Sequence, residues 1–129
     1  MFIASTANAQ STIYFFFSKA VTTNASIHIQ FNRQEVFLLK EKQKKVCNMR
    51  SEGKLNISLE KSFNVGTFNQ HISWADEIQL NLTKNSVHYI RLKNTKGGRA
   101  LVFEELTEAQ GKRELAIRSY KDTFAYDEP

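Results

Sequence analysis

The sequence predicts a mostly β fold, an antiparallel β-sandwich of about seven strands with one C-terminal helix. Three observations carry this. Apolar and polar residues alternate with period two through most of the chain, short turn-like segments separate the alternating runs, and one helix-start signature stands near the end. At 129 residues the length fits a single domain, and a chain of this size buries about two-thirds of its unfolded surface without disulfide staples.

In "STIYFFFS" Ile13, Phe15 and Phe17 share one face and Tyr14 and Phe16 the other. Both faces are apolar, so this run predicts a central or doubly covered strand. "SIHIQFN" sets Ile27, Ile29 and Phe31 inward and His28 and Gln30 outward; Asn32-Arg33-Gln34 then turns the chain into "EVFLLK" as a hairpin. The run Lys40-Glu41-Lys42-Gln43-Lys44-Lys45 follows. Between two apolar runs it is expected to be a solvated hairpin turn, its lysines discouraging edge-to-edge pairing.

Next come "KVCNMR", a turn at Ser51-Glu52-Gly53, and "KLNISLE" with Leu55, Ile57 and Leu59 on one face. From Ser62 to Ala75 the alternation lapses, which predicts a long irregular loop. It resumes in "DEIQLNLT", turns at Lys84-Asn85-Ser86, and continues through "VHYIRLK" and "NTKGGR" into "ALVFEEL". Thr107 and Gln110 then have capping-box spacing, predicting a helix from Glu108 to about Ser119. With few apolar positions, that helix should lie on the sandwich surface or across one open end. Gly111 weakens it by about 1 kcal/mol relative to alanine.

Residues 1–9 form a separate case. Ala7-Asn8-Ala9 has the small-x-small form that precedes a signal-peptidase cut. Only Met1 to Ala4 remain to supply a basic and an apolar region, so the segment is expected to be a signal-peptide remnant. The organisation expected is a remnant at 1–9, one domain over 10–120, and a flexible tail over 121–129. That implies a periplasmic or secreted protein. No apolar run reaches 18 residues, which excludes a spanning helix in this sequence.

The opening strand "TIYFFF", the hairpin "IHIQFNRQEVFLL", the strand "EGKLNISLE", the strand "VHYIRL" and the closing "LVFEELTEAQGKREL" together cover most of residues 11 to 118. In this order they resemble the domain-of-unknown-function 2846 family of short secreted bacterial β-domains. The chain departs from the family pattern at Ser18-Lys19, where members commonly carry an arginine. It departs again at Asn32-Arg33-Gln34, where a glycine is usual, and in the length of residues 62 to 75. The resemblance implies an exported or lipid-anchored β-sandwich without an assigned activity. A lipid anchor needs a cysteine at the mature N-terminus, and Cys47 is mid-chain.

Residues able to carry chemistry are scattered. His28, His71 and His88 fall on three separate segments, so no shared metal site and no cofactor are expected. Cys47, the one cysteine, reads as a small buried hydrophobe within "VCNM". There is no G-x-S-x-G elbow and no phosphate-binding glycine loop. Glu104-Glu105 and Asp76-Glu77 are sequence neighbours on strand-like runs, so each pair points to opposite faces and cannot act as facing carboxylates. No catalytic residue is assigned, and a non-enzymatic role follows.

For binding, the segment "SFNVGTFNQHISWAD" offers Phe68, Asn69, Gln70 and Trp74, aromatics with neighbouring amides on which a sugar ring or peptide can stack. The formal charge of +5 concentrates near Lys42, Lys44 and Lys45, which could attract an anionic surface. The partner classes expected are an envelope glycan, a lipid or a surface protein. Nucleic acid is disfavoured, because the basic residues are not interleaved with an aromatic RNA-binding motif. An alternative is a small carrier enclosing an apolar ligand between its sheets, suggested by ten phenylalanines. Asn24, Asn56 and Asn81 each begin an N-x-S/T triplet, two of them on expected strands.

Overall fold

A computed structural model of the chain describes residues 11–17, 25–40, 42–65, 68–94, 101–117 and 121–128. The expected leader, residues 1–9, lies outside the described residues. In chain order the elements are β1 (Ser11–Phe17), β2 (Ala25–Phe31), β3 (Gln34–Leu39), β4 (Gln43–Met49), β5 (Gly53–Val65), β6 (Phe68–Leu82), β7 (Ser86–Asn94), β8 (Leu101–Leu106), α1 (Glu108–Leu115) and β9 (Lys121–Asp127). They form the expected sandwich: a five-stranded sheet in the order β8-β7-β1-β4-β9 faces a four-stranded sheet in the order β3-β2-β5-β6. Pairing is antiparallel except between β1 and β7 and between β4 and β9, which are parallel.

Period-two patterning decides what lies between the sheets. Ile13, Phe15 and Phe17 of β1 join Ile27, Ile29 and Phe31 of β2, Leu55, Ile57 and Leu59 of β5, and Ile90 and Leu92 of β7 in one core. Phe15 sits at its centre, its ring 5.3 Å from that of Phe37 and 6.2 Å from that of Phe31. The second apolar face of β1 is covered as well. Phe16, Tyr89 and Leu106 make a smaller cluster on the outer side of the five-stranded sheet, with Tyr14 and Leu115 packed against it. Through Leu115, α1 lies on this outer face, as the surface placement expected of it requires.

The helix begins where the sequence places it. Thr107 accepts from the Gln110 N–H at 3.2 Å while the Gln110 side chain accepts from the Thr107 N–H at 2.9 Å. It ends at Leu115, four residues before the expected Ser119, because the chain must be extended again by Lys121 to enter β9.

Four expectations are corrected. Residues 121–129 were expected to be a flexible tail, yet Lys121–Asp127 form β9 along the open edge of β4. A strand edge offers unpaired N–H and C=O groups, and the end of the chain satisfies them.

Of the irregular loop expected at 62–75, residues 62–65 and 68–75 are strand instead. β5 and β6 make one long hairpin in which Val65 pairs with Phe68, Asn64 with Asn69 and Phe63 with Gln70. Ser58 pairs with Glu77 but Glu60 with Ser73, so residues 74–76 of β6 stand opposite Leu59 alone. An excess of two residues interrupts the ladder without changing which positions are in step; the pattern lapses because polar Lys61, Gln70 and Asp76 stand in step with Leu59 and Ile78.

Lys40–Lys45, expected to be a hairpin turn, joins no hairpin: Gln43–Lys45 already belong to β4, and β3 and β4 lie in different sheets. Finally, nine strands stand among the described residues where about seven were expected. β9 is the strand without an expected counterpart, while the segment thought irregular lengthens β5 and β6 without adding a strand.

The two sheets are tied along both sides. The Asp76 carboxylate accepts from the Phe103 N–H at 2.6 Å, linking β6 to β8. On the opposite side the rings of Phe31 and Tyr126 meet edge to face at 5.7 Å, linking β2 to β9.

Candidate functional site

Of the binding residues expected from sequence, Phe68, Asn69 and Gln70 are consecutive positions of β6. Trp74 stands in the bulge. The side chains of these four lie outside the described residues. Lys42 is an exposed turn residue with a φ of 62°. Lys44 and Lys45 are half-buried positions of β4, paired with Phe16 and Phe15 of β1. Adjacent strand residues face opposite ways, so Lys44 lies on the helix-bearing side of the sheet and Lys45 toward the core. Burial lowers the pKa of Lys45.

The titratable groups are paired locally. His28 bonds Glu35 across β2 and β3. His88 Nδ1 lies 3.0 Å from Glu105 Oε2 across β7 and β8. Glu104, next in sequence, takes the other face and accepts from Arg91 Nη2 at 2.7 Å, the opposed placement expected of this pair. Its carboxyl is held low by the Arg91 hydrogen bond against a smaller opposing effect of burial. Among the described residues no group of three histidine, cysteine or acidic side chains is arranged to hold a metal. Cys47 is fully buried in the core, and burial pushes its thiol pKa far up.

What the structure brings together is a cleft at one end of the sandwich, of about 350 Å³. Its walls come from segments distant in sequence. The β2–β3 turn places both central residues in the left-handed region, Asn32 at φ 51° and Arg33 at φ 70°, the geometry of a type I′ hairpin. Across from it, the crossing from β4 to β5 turns at Gly53 with φ 109°. The Asn32 N–H donates to the Asn56 carbonyl at 2.8 Å and its side-chain oxygen accepts from the Asn56 N–H at 3.1 Å, fixing the turn against β5. Phe31, Met49 and Leu55 lie buried beneath the cleft, and the surface it presents is mostly polar, with Asn32, Gln34 and Lys54 among its lining residues.

One wall is built by the end of the chain. Glu128 Oε1 accepts from the Arg50 N–H at 2.6 Å, the Ser51 N–H at 2.7 Å and the Ser51 hydroxyl at 2.9 Å. Arg50 Nε donates to the Glu128 carbonyl at 2.5 Å, and the Glu128 N–H donates to the Asn48 carbonyl at 2.9 Å. Burial alone would raise this carboxyl's pKa; the donors from Ser51 and Arg50 outweigh it and hold the group below the usual range.

The arrangement can hold a small polar group among amide, ammonium and carboxylate groups. Sequence reasoning missed it because a turn's location does not reveal which other turns share its end of the sandwich. Only the assignment of β4 and β5 to different sheets brings Ser51–Lys54 beside Asn32. No protein-family model, curated protein or solved structure matches this chain.

Proposed function

We propose that the chain is an exported, non-enzymatic β-sandwich domain serving the cell envelope as a binding or structural accessory, with the end cleft as its binding site. The observation that carries this is the cleft itself: a concave, mostly polar surface set on two tied sheets. Ligand sites are commonly concave and largely preformed. The rim of amides and mixed charges suits a fragment of envelope glycan better than a lipid tail. The Ala7-Asn8-Ala9 motif and the resemblance to the domain-of-unknown-function 2846 family support export. The carrier alternative has less room, because Phe15, Phe31 and Phe37 already stack where an enclosed ligand would sit.

Expression from the natural upstream DNA, followed by fractionation and intact mass, tests export. A mature chain beginning at Gln10 in the periplasm or medium is the expected result; a cytosolic chain retaining Met1 overturns it. Titrating the isotope-labelled protein with peptidoglycan fragments tests the cleft. Amide shifts should concentrate at Asn32, Gln34, Gly53 and Lys54, and an unchanged spectrum at millimolar fragment removes glycan as the ligand.

A further inference from the structure

Glu128 lines the end cleft, and its two carboxylate oxygens are unequally engaged. Oε1 accepts from the Arg50 N–H at 2.6 Å and from the Ser51 N–H at 2.7 Å. The Ser51 hydroxyl lies 2.9 Å from Oε1 and 2.8 Å from Oε2. A hydroxyl has one hydrogen to give, so Oε2 keeps acceptor capacity whichever oxygen receives it. Two of these three donors are main-chain N–H groups, which fix the carboxylate's orientation without neutralising its charge. Arg50 directs its Nε to the Glu128 main-chain carbonyl instead.

The charges around the cleft point the same way. Glu52 and Glu128 stand against Lys54 alone in its lining, although the chain as a whole carries +5. An acidic recess on a basic protein attracts a cation. An acidic ligand is disfavoured, because the N–H groups of Arg50 and Ser51 that would receive its carboxylate are already taken by Glu128. A long-chain amine is disfavoured too, since the surface of the cleft is mostly polar and offers little to an apolar tail. Asn32, Gln34 and Ser51 share the lining, and amide and hydroxyl groups of this kind suit the hydroxyls around a sugar ring.

On the reading that the end cleft is the binding site, we infer that it takes an amino sugar with a free, protonated amine, the ammonium bonded to Glu128 Oε2. Acylating that amine removes its charge and leaves at most a neutral hydrogen bond, about half as strong.

Isotope-labelled full-length protein is titrated with glucosamine, N-acetylglucosamine and glucose at about pH 6, where the free amine is protonated and Glu128 ionised. Glucosamine should shift the amides of Ser51, Gly53 and Lys54 with a Kd about tenfold below that of either neutral sugar. Added salt should narrow the gap. Glu128→Gln keeps an oxygen for the two N–H groups but carries no charge, so this variant should bind the three sugars alike while its other amides stay in place. N-acetylglucosamine or glucose binding at these amides as tightly as glucosamine overturns the inference and leaves the cleft as a glycan site. A preference for glucosamine that survives in a folded Glu128→Gln variant also overturns it. No shift with any of the three sugars at millimolar concentration removes the glycan reading of the cleft and the inference together.

Discussion

At Gly111 a Cβ would stand 2.1 Å from Cγ of Tyr89, so the helix that sequence rules would improve with alanine depends on having none. In an exposed helix Gly→Ala gains about 1 kcal/mol. Here the methyl must push α1 off the Tyr89 ring, and overpacking of this kind costs about 1–3 kcal/mol. Gly111→Ala should therefore destabilise, read as a lower urea midpoint. An unchanged or raised midpoint would mean that α1 does not sit on Tyr89.

Arg33 makes the opposite case. Its φ of 70° costs a non-glycine residue about 1–2 kcal/mol. Its contact with Glu77, at 3.8 Å between largely exposed groups, contributes little. Arg33→Gly completes an Asn-Gly type I′ turn and should raise stability by about 1 kcal/mol.

Glu128 adds a pH dependence. Its folded pKa is depressed, so its contribution is present above the unfolded glutamate value of about 4.3 and is lost as pH falls through the lower folded value. Glu128→Gln should melt below the parent protein at pH 7, and the gap should close on acidification below about pH 4. A gap independent of pH would show that the carboxylate charge plays no part in the clamp.

Elements were legible in the sequence to the extent that their signals are local. The capping box at Thr107, the two-faced apolar pattern of β1 and the turn at Asn32-Arg33 each depend on a few neighbouring residues, and each stands where the sequence puts it. Thr107→Ala removes the acceptor for the Gln110 N–H and should cost about 1 kcal/mol. Hydrogen exchange should speed up in Glu108–Leu115 while the amides of β1 stay protected. Equal acceleration in both would mean that α1 and the sheet open together as one unit. Arg91, which reaches Glu104 of β8 and Glu114 of α1, opposes the detachment of α1 but is partly exposed and cannot replace the cap.

Less legible were elements whose pairing is set by something remote. β6 carries a bulge opposite Leu59, and β9 exists because β4 has an open edge. Neither condition is written within the segment itself. The same limit hid the cleft: alternation says which face of a strand is buried, and is silent on which strand lies beside it.

At the scale of the whole molecule, both sheets are assembled from strands far apart in sequence. β1 is flanked by β4 and β7, and β9 closes the same sheet from the far end of the chain. Few of these pairings can form without the others, so opening of the core should be all or none. Cys47 makes this measurable. It is the one cysteine in the chain, it lies on β4 in the core with no exposed surface, and its raised pKa leaves almost no thiolate at neutral pH. Native protein should resist alkylation at pH 8, with a rate that rises with urea in parallel with the loss of near-ultraviolet circular dichroism. Labelling would then report the global unfolding equilibrium, because reaction requires the sheets to separate. If Cys47 reacts in native buffer at the rate of a free thiol, the edge of the five-stranded sheet must open alone. β9, the strand bordering β4, would then be the first element to leave.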